Sequence, residues 1–250
     1  MAEAATAASH QHVDDFQHGR TQRSLLEKLG WVALVALLGV GVSSVVGRML
    51  FMIEAQGVAD PSAAFNPFDA RYAEMPITSW LHLLPALIIA FTGPFQFIRR
   101  IRKRWPVWHR WSGRAYLFTG LTAAVTGFII GGLNPFMGLN GPGFNEAMAT
   151  TAITLLVVIF LVQAYRTART RQFAAHREWV IRSWTVMLGI ATERLLLVTF
   201  RAVTDVELSV LFGTTFWMAL VINLGAAEYW IRLTRTRGSG LRHWKDLDGR

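Results

Sequence analysis

Six long apolar stretches follow one another along the chain, separated by polar segments. They run from Leu29 to Gly47 (continuing past Arg48 to Ile53), Met75 to Ile98, Ala115 to Leu133, Ala147 to Tyr165, Trp179 to Phe200 and Leu208 to Ala227. A helix of about 20 residues crosses the ~30 Å hydrocarbon core of a bilayer. Each stretch is near that length, although Glu193 and Arg194 interrupt the fifth. The pattern predicts an all-α, polytopic integral membrane protein with six transmembrane helices. Residues 1–28 read as a mobile polar tail, 29–233 as the membrane domain and 234–250 as a basic tail.

Composition agrees. The chain is 52% hydrophobic and 16% charged, against about a quarter charged in an ordinary soluble domain. The absence of Cys excludes disulfides, iron–sulfur clusters and zinc-thiolate sites. The histidines and acids of "HQHVDDFQH" could hold a metal weakly, but a mobile tail explains them as well. Acids near the N-terminus and a first apolar run of full spanning length argue against a cleaved signal peptide.

Charge then orients the spans. The segment before Ala115 carries Arg99, Arg100, Arg102, Lys103, Arg104, Arg110 and Arg114. The segment before the fifth span carries five Arg, and the C-terminal tail is also basic. The intervening segments are acidic or nearly neutral. By the positive-inside rule both termini lie in the cytoplasm, in the inner (plasma) membrane of a cell. The stretch "RRIRKRWPVWHRWSGRAY" thus reads as a cytoplasmic loop, with Arg against anionic headgroups and Trp in the interfacial belt. That placement makes nucleic acid a poor partner for the net charge of +9.

A shift of 67 residues repeats that loop: Gln96 meets Gln163, Arg99 meets Arg166, and His109-Arg110 meets His176-Arg177. The repeat predicts two helical hairpins, about 80–133 and 147–200, packed as a four-helix core about an axis along the membrane normal. Pro106 suits the first turn of the third helix and places His109 inside it. Gly113, Gly120 and Gly127 share the His109 face. Such a stripe means either close helix packing or room for a flat cofactor. Gly93-Pro94 predicts a kink and a freed carbonyl in the second helix. Ionisable residues inside a bilayer should face the interior and be paired. Arg48, His82, Glu193 and Arg194 are therefore expected to form one polar cluster near the external surface, with Glu193 and Arg48 as a candidate ion pair.

These residues resemble a known, uncharacterised family of bacterial predicted membrane proteins. Its pattern is a His-bearing apolar helix ending in G-P-x-Q-F, a basic H-R-x-x-G-R-x-Y segment and a later H-R-x-W-x-I-R-S segment. Here these are "LHLLPALIIAFTGPFQF", "HRWSGRAY" and "HREWVIRSW", and the resemblance covers roughly residues 78 to 200. It implies no activity.

Two function classes remain. In the first, His109 and His176 clamp the iron of a b-type haem between two helices, or serve a quinone-linked electron-transfer site. Arg110, Arg114, Arg177 and Arg182 would neutralise propionates, and the Gly113 and Gly120 face would accept the macrocycle. The cluster of His82 and Arg194 would then be an outer quinone site. In the second class the protein binds or carries a lipid or small anionic molecule without catalysis, or is a structural subunit of a membrane complex. No Ser-His-acid set, phosphate-cradling loop or H-E-x-x-H motif is readable.

Overall fold

Proline sets where many of the helices begin. Pro61, Pro67, Pro76, Pro106 and Pro142 each occupy the first position of a helix, where the missing N–H has no partner to lose and φ is already helical. The computed structural model describes residues 2–235, with side chains from Lys28 onward apart from those of Pro67 and Arg99. The expected N-terminal histidine site and the end of the basic tail lie outside the described side chains.

The described residues form ten α-helices and no strand. They are α1 (Ala2–Glu54), α2 (Pro61–Ala64), α3 (Pro67–Glu74), α4 (Pro76–Phe97), α5 (Arg99–Arg104), α6 (Pro106–Gly127), α7 (Pro142–Arg169), α8 (Phe173–Met187), α9 (Gly189–Val203) and α10 (Leu208–Thr234). A π-helical turn, Phe128–Leu133, extends α6. The chain divides into two compact units after Gly39. The first is the N-terminal part of α1 alone. The second holds everything from Val40 on, including all the helices that pack against one another.

Among the described residues, five helices are long and apolar enough to cross a membrane: Lys28–Glu54, Pro76–Phe97, Pro106–Leu133, Pro142–Arg169 and Leu208–Thr234. The fifth apolar stretch of the sequence differs from expectation. It appears as two 15-residue helices, α8 and α9, meeting at Leu188, whose ψ is −3°. A partner from another helix stabilises this break. Asn223 Nδ2, on α10, donates to the Thr185 carbonyl at 2.9 Å, and its Oδ1 accepts from Thr192 Oγ1 at 2.9 Å. One amide thus bonds to both sides of the interruption, where the helical ladder stops supplying partners. The stretch "RRIRKRWPVWHRWSGRAY" also differs. Most of the expected loop is helix, α5 and then α6, which begins at Pro106 with His109 in its first turn, as expected.

Packing is tight where helices meet. α4 lies against α6, and α7 against α8 and α10. At Gly93 an added Cβ would overlap the Trp184 indole, so only glycine allows α4 its approach to α8. The ring of Phe97 lies 5.2 Å from that of Trp184. Two prolines, Pro85 and Pro94, sit inside α4. Pro85 cannot donate to Leu81, and Thr126 Oγ1 stands 3.5 Å from that carbonyl. On its other side α4 exposes Ile77, Leu81, Leu84, Ile88 and Phe91. Their spacing of three and four residues makes one apolar stripe, of the kind hydrocarbon covers in a membrane.

Candidate functional site

The chemistry gathers at two ends of the helical bundle. α6 runs from one end, at His109, to the other, near Asn134, and α7 returns from Pro142.

At the first end, His109 and His176 each lie three residues after the first residue of their helices, α6 and α8. Neither helix start has a side-chain cap, and neither carries an acid in its first turn. No side chain therefore accepts from the first-turn N–H groups, although Pro106 has none to offer and those of His109 and His176 bond the Trp105 and Gln172 carbonyls; the helix starts keep their partial positive charge. The two imidazoles are close enough to interact electrostatically, and Arg102 of α5 acts on both. Arg177 is acted on by the Glu178 carboxylate more than by Arg102, and it donates to Thr234 Oγ1 at 2.7 Å. His176 is oriented by its Nδ1–H, which donates to the Ala164 carbonyl of α7 at 2.8 Å. His109 Nδ1 is buried and has no hydrogen-bond partner. Its backbone carbonyl accepts from Ser112 Oγ at 3.2 Å, and Gln96 Nε2 donates to Ser112 Oγ at 3.0 Å. The conspicuous Gln96 thus ties α4 to the first turn of α6.

The structure brings together only part of the expected constellation. His109, His176 and Arg177 meet. Arg110 is exposed, and Arg114 is exposed with its guanidinium 4.8 Å from the Trp111 ring centroid. Arg182 is committed elsewhere: it forks onto Glu228 at 2.5 and 3.1 Å and stacks over Trp179 at 4.7 Å. Arg102 is one basic residue among seven in its stretch, and nothing in the sequence marks it. Only its electrostatic effect on both histidines does.

The glycine face of α6 is filled by protein. A Cβ at Gly113 would meet Gln96 Oε1 at 3.3 Å, one at Gly120 would meet Leu161 Cδ1 at 2.9 Å, and one at Gly127 would meet His82 Cε1 at 3.0 Å. The stripe serves close packing. The two imidazoles have the donor chemistry of a haem ligand pair, but the face meant to receive the macrocycle is occupied by side chains, so the residues present do not fit that group.

At the other end, Glu146 and Glu193 are both fully buried. Glu146 accepts the N–H of Phe136 at 3.0 Å and that of Met137 at 3.2 Å, folding the connection after α6 back onto α7. Glu193 Oε1 lies 3.3 Å from Thr215 Oγ1, whose single hydrogen also has the Phe212 and Leu211 carbonyls within 2.9 and 3.0 Å. Tyr72 of α3 is in electrostatic reach of Arg48, Arg194, Glu146 and Glu193. Arg48 pairs with Asp69, not with Glu193, and lies 4.5 Å from the centroid of the Tyr72 ring. Glu193 instead has Arg194 Nη1 at 3.5 Å. His82 stands apart, with its Nδ1–H on the Ala123 carbonyl at 3.0 Å. The expected cluster of His82, Arg48, Glu193 and Arg194 therefore forms without His82 and gains Glu146, Tyr72, Asp69 and Arg71. Glu146 has no signal in the sequence, where it reads as a loop acid. Phe212 closes this end, with Phe68, Phe136 and Phe216 packed around it at 4.8 to 5.7 Å.

A family model described as a predicted membrane protein, DUF2306, matches residues 79–231, and the chain belongs to that family. No curated protein and no solved structure matches the chain. The matched residues include His82, His109, His176, Glu146 and Glu193.

Proposed function

We propose that this member of the family is a six-span inner-membrane protein, with both termini cytoplasmic, that binds an anionic group between His109 and His176. In this reading α8 and α9 together make the fifth crossing as a broken helix. The α4–α6 and α7–α8 hairpins are the two repeats, and the histidines are their equivalent positions. The basic α5, the α7–α8 connection and the end of α10 face the cytoplasm by the positive-inside rule.

One observation carries the ligand class. Among the described residues, the electrostatic neighbours of both imidazoles are basic, and both sit at helix N-termini that no side chain caps. Like charges and uncapped helix starts gathered in one place are stabilised by a bound anion, through charge-assisted hydrogen bonds and the helix dipoles. The group recognised is a phosphate or carboxylate, from a lipid headgroup or from a free solute. The protein binds it or carries it, and no residue set for covalent chemistry accompanies it. The electron-transfer reading draws on the imidazole pair alone.

The experiment is thermal unfolding of the purified full chain in a neutral detergent, with inorganic phosphate in one arm and phosphatidylglycerol in the other. A rise in midpoint that is lost in Arg102→Gln and His176→Gln supports the reading, and the responding arm identifies the source. No rise in either arm, or an equal rise in the variants, overturns it. A sharp reduced α-band in the visible spectrum of the same preparation would replace it with the haem reading.

A further inference from the structure

The glutamate end is unlike the histidine end in that its charges nearly close. Arg48 pairs with Asp69, Arg71 with Glu74 and Arg194 with Glu193. Glu146, which feels both Arg71 and Glu193, has no basic partner of its own among the described residues. Four acids thus face three guanidiniums in one network, which leaves one negative charge in excess. No charged residue of α10 adjusts that count, because the helix has none between Leu208 and Ala227 and contributes only the Thr215 hydroxyl. Burying an uncompensated carboxylate is costly enough that such a group takes up a proton or a cation instead.

The geometry distinguishes the two buried carboxyl groups. Both Glu146 oxygens accept backbone N–H groups, which favours its ionised form. Glu193, 0% exposed, has one oxygen on Thr215. Its Oε2 has no hydrogen-bond donor, and Arg194 Nη1 at 3.5 Å is at the edge of useful contact. Arg194 is itself 27% exposed and sits over the Phe212 ring at 5.8 Å. A metal cation is a poor occupant. It would need several oxygen ligands, whereas Glu193 has one oxygen free and three guanidiniums belong to the same network.

We propose that Glu193 is a proton-binding site inside the bundle. One proton from solvent water is taken onto the Oε2 lone pair and returned to water, with no change of oxidation state, and the uptake brings the network to neutrality. The groups that act on this carboxyl are Arg194 from α9, Tyr72 from α3, Glu146 from α7 and the Thr215 hydroxyl of α10; Arg48 joins the network through Tyr72 and its pair with Asp69, and Arg71 through Glu146 and its pair with Glu74.

The test is infrared difference spectroscopy of the purified full chain at neutral pH, in water and in heavy water. The expected result is a protonated-carboxyl carbonyl band that shifts on deuteration and is lost in Glu193→Gln. This variant keeps the side chain's shape and an oxygen for Thr215. A second variant, Thr215→Val, leaves every carboxyl in place and removes a hydroxyl from this one, so the same band should change frequency. Absence of a protonated-carboxyl band in the wild-type protein overturns the proposal. So does a band that survives Glu193→Gln, or one that does not move in Thr215→Val.

Discussion

The two polar ends of the bundle solve opposite problems. At the glutamate end, Glu146 and Glu193 are wholly buried, and most charges have an opposite charge or a backbone N–H to meet. At the histidine end the charges acting on the two imidazoles are basic, although Glu178 acts on the neighbouring Arg177; Arg102 is exposed, and His109 Nδ1 has no partner. A closed network of buried polar groups holds structure together, because removing any member leaves another stranded in a low dielectric. A cluster of like charges contributes nothing favourable to folding by itself. The contrast predicts that substitutions at the glutamate end destabilise the protein strongly and that those at the histidine end leave its stability nearly unchanged.

The sharpest way to break the comparison is Glu146→Ala. It strands the N–H groups of Phe136 and Met137 at about 1–3 kcal/mol each, so a loss of about 2–6 kcal/mol is expected in reversible unfolding in detergent. A loss under 1 kcal/mol would mean that this end is not structural. The packed middle sets the next scale. Gly93→Ala drives a methyl into the Trp184 indole and should cost about 3 kcal/mol, the upper range of ordinary overpacking. The double variant Gly93→Ala, Trp184→Phe should recover part of that loss, which differential scanning fluorimetry can read. Asn223→Leu removes the amide that bridges the break between α8 and α9. About 1–2 kcal/mol is expected, as for interhelical hydrogen bonds in membranes, with faster amide exchange around Leu188. The smallest effect belongs to the histidine end. Arg102→Gln should change stability by no more than about 0.5 kcal/mol without an anion present, or raise it slightly as like charges separate. A loss as large as that of Asn223→Leu would erase the distinction between the ends.

Legibility in the sequence follows the range of the interaction. Apolar runs predict the helices well, and the first-turn position of His109 follows from Pro106, because proline acts on its own backbone. The break at Leu188 is not legible. Its stabilising amide is Asn223, 38 residues from the Thr185 carbonyl it bonds. The glycine stripe on α6 admits two readings, and the choice needs the side chains of Gln96, Leu161 and His82 that fill it. Glu146 and Arg102 are invisible as site residues for the same reason: one is buried by a connection that folds back, the other selected by helices that converge.

The apolarity of the spans, the start of α6 at Pro106 and the membrane solvent are thus settled by the sequence itself, since hydrophobic burial and backbone geometry depend on residues a few positions apart. Which buried acid gains backbone donors, which Arg stands beside two imidazoles, and where the fifth apolar run breaks are decided by tertiary structure. Hydrogen bonds and charge pairs act over a few ångströms, and only packing brings distant residues that close.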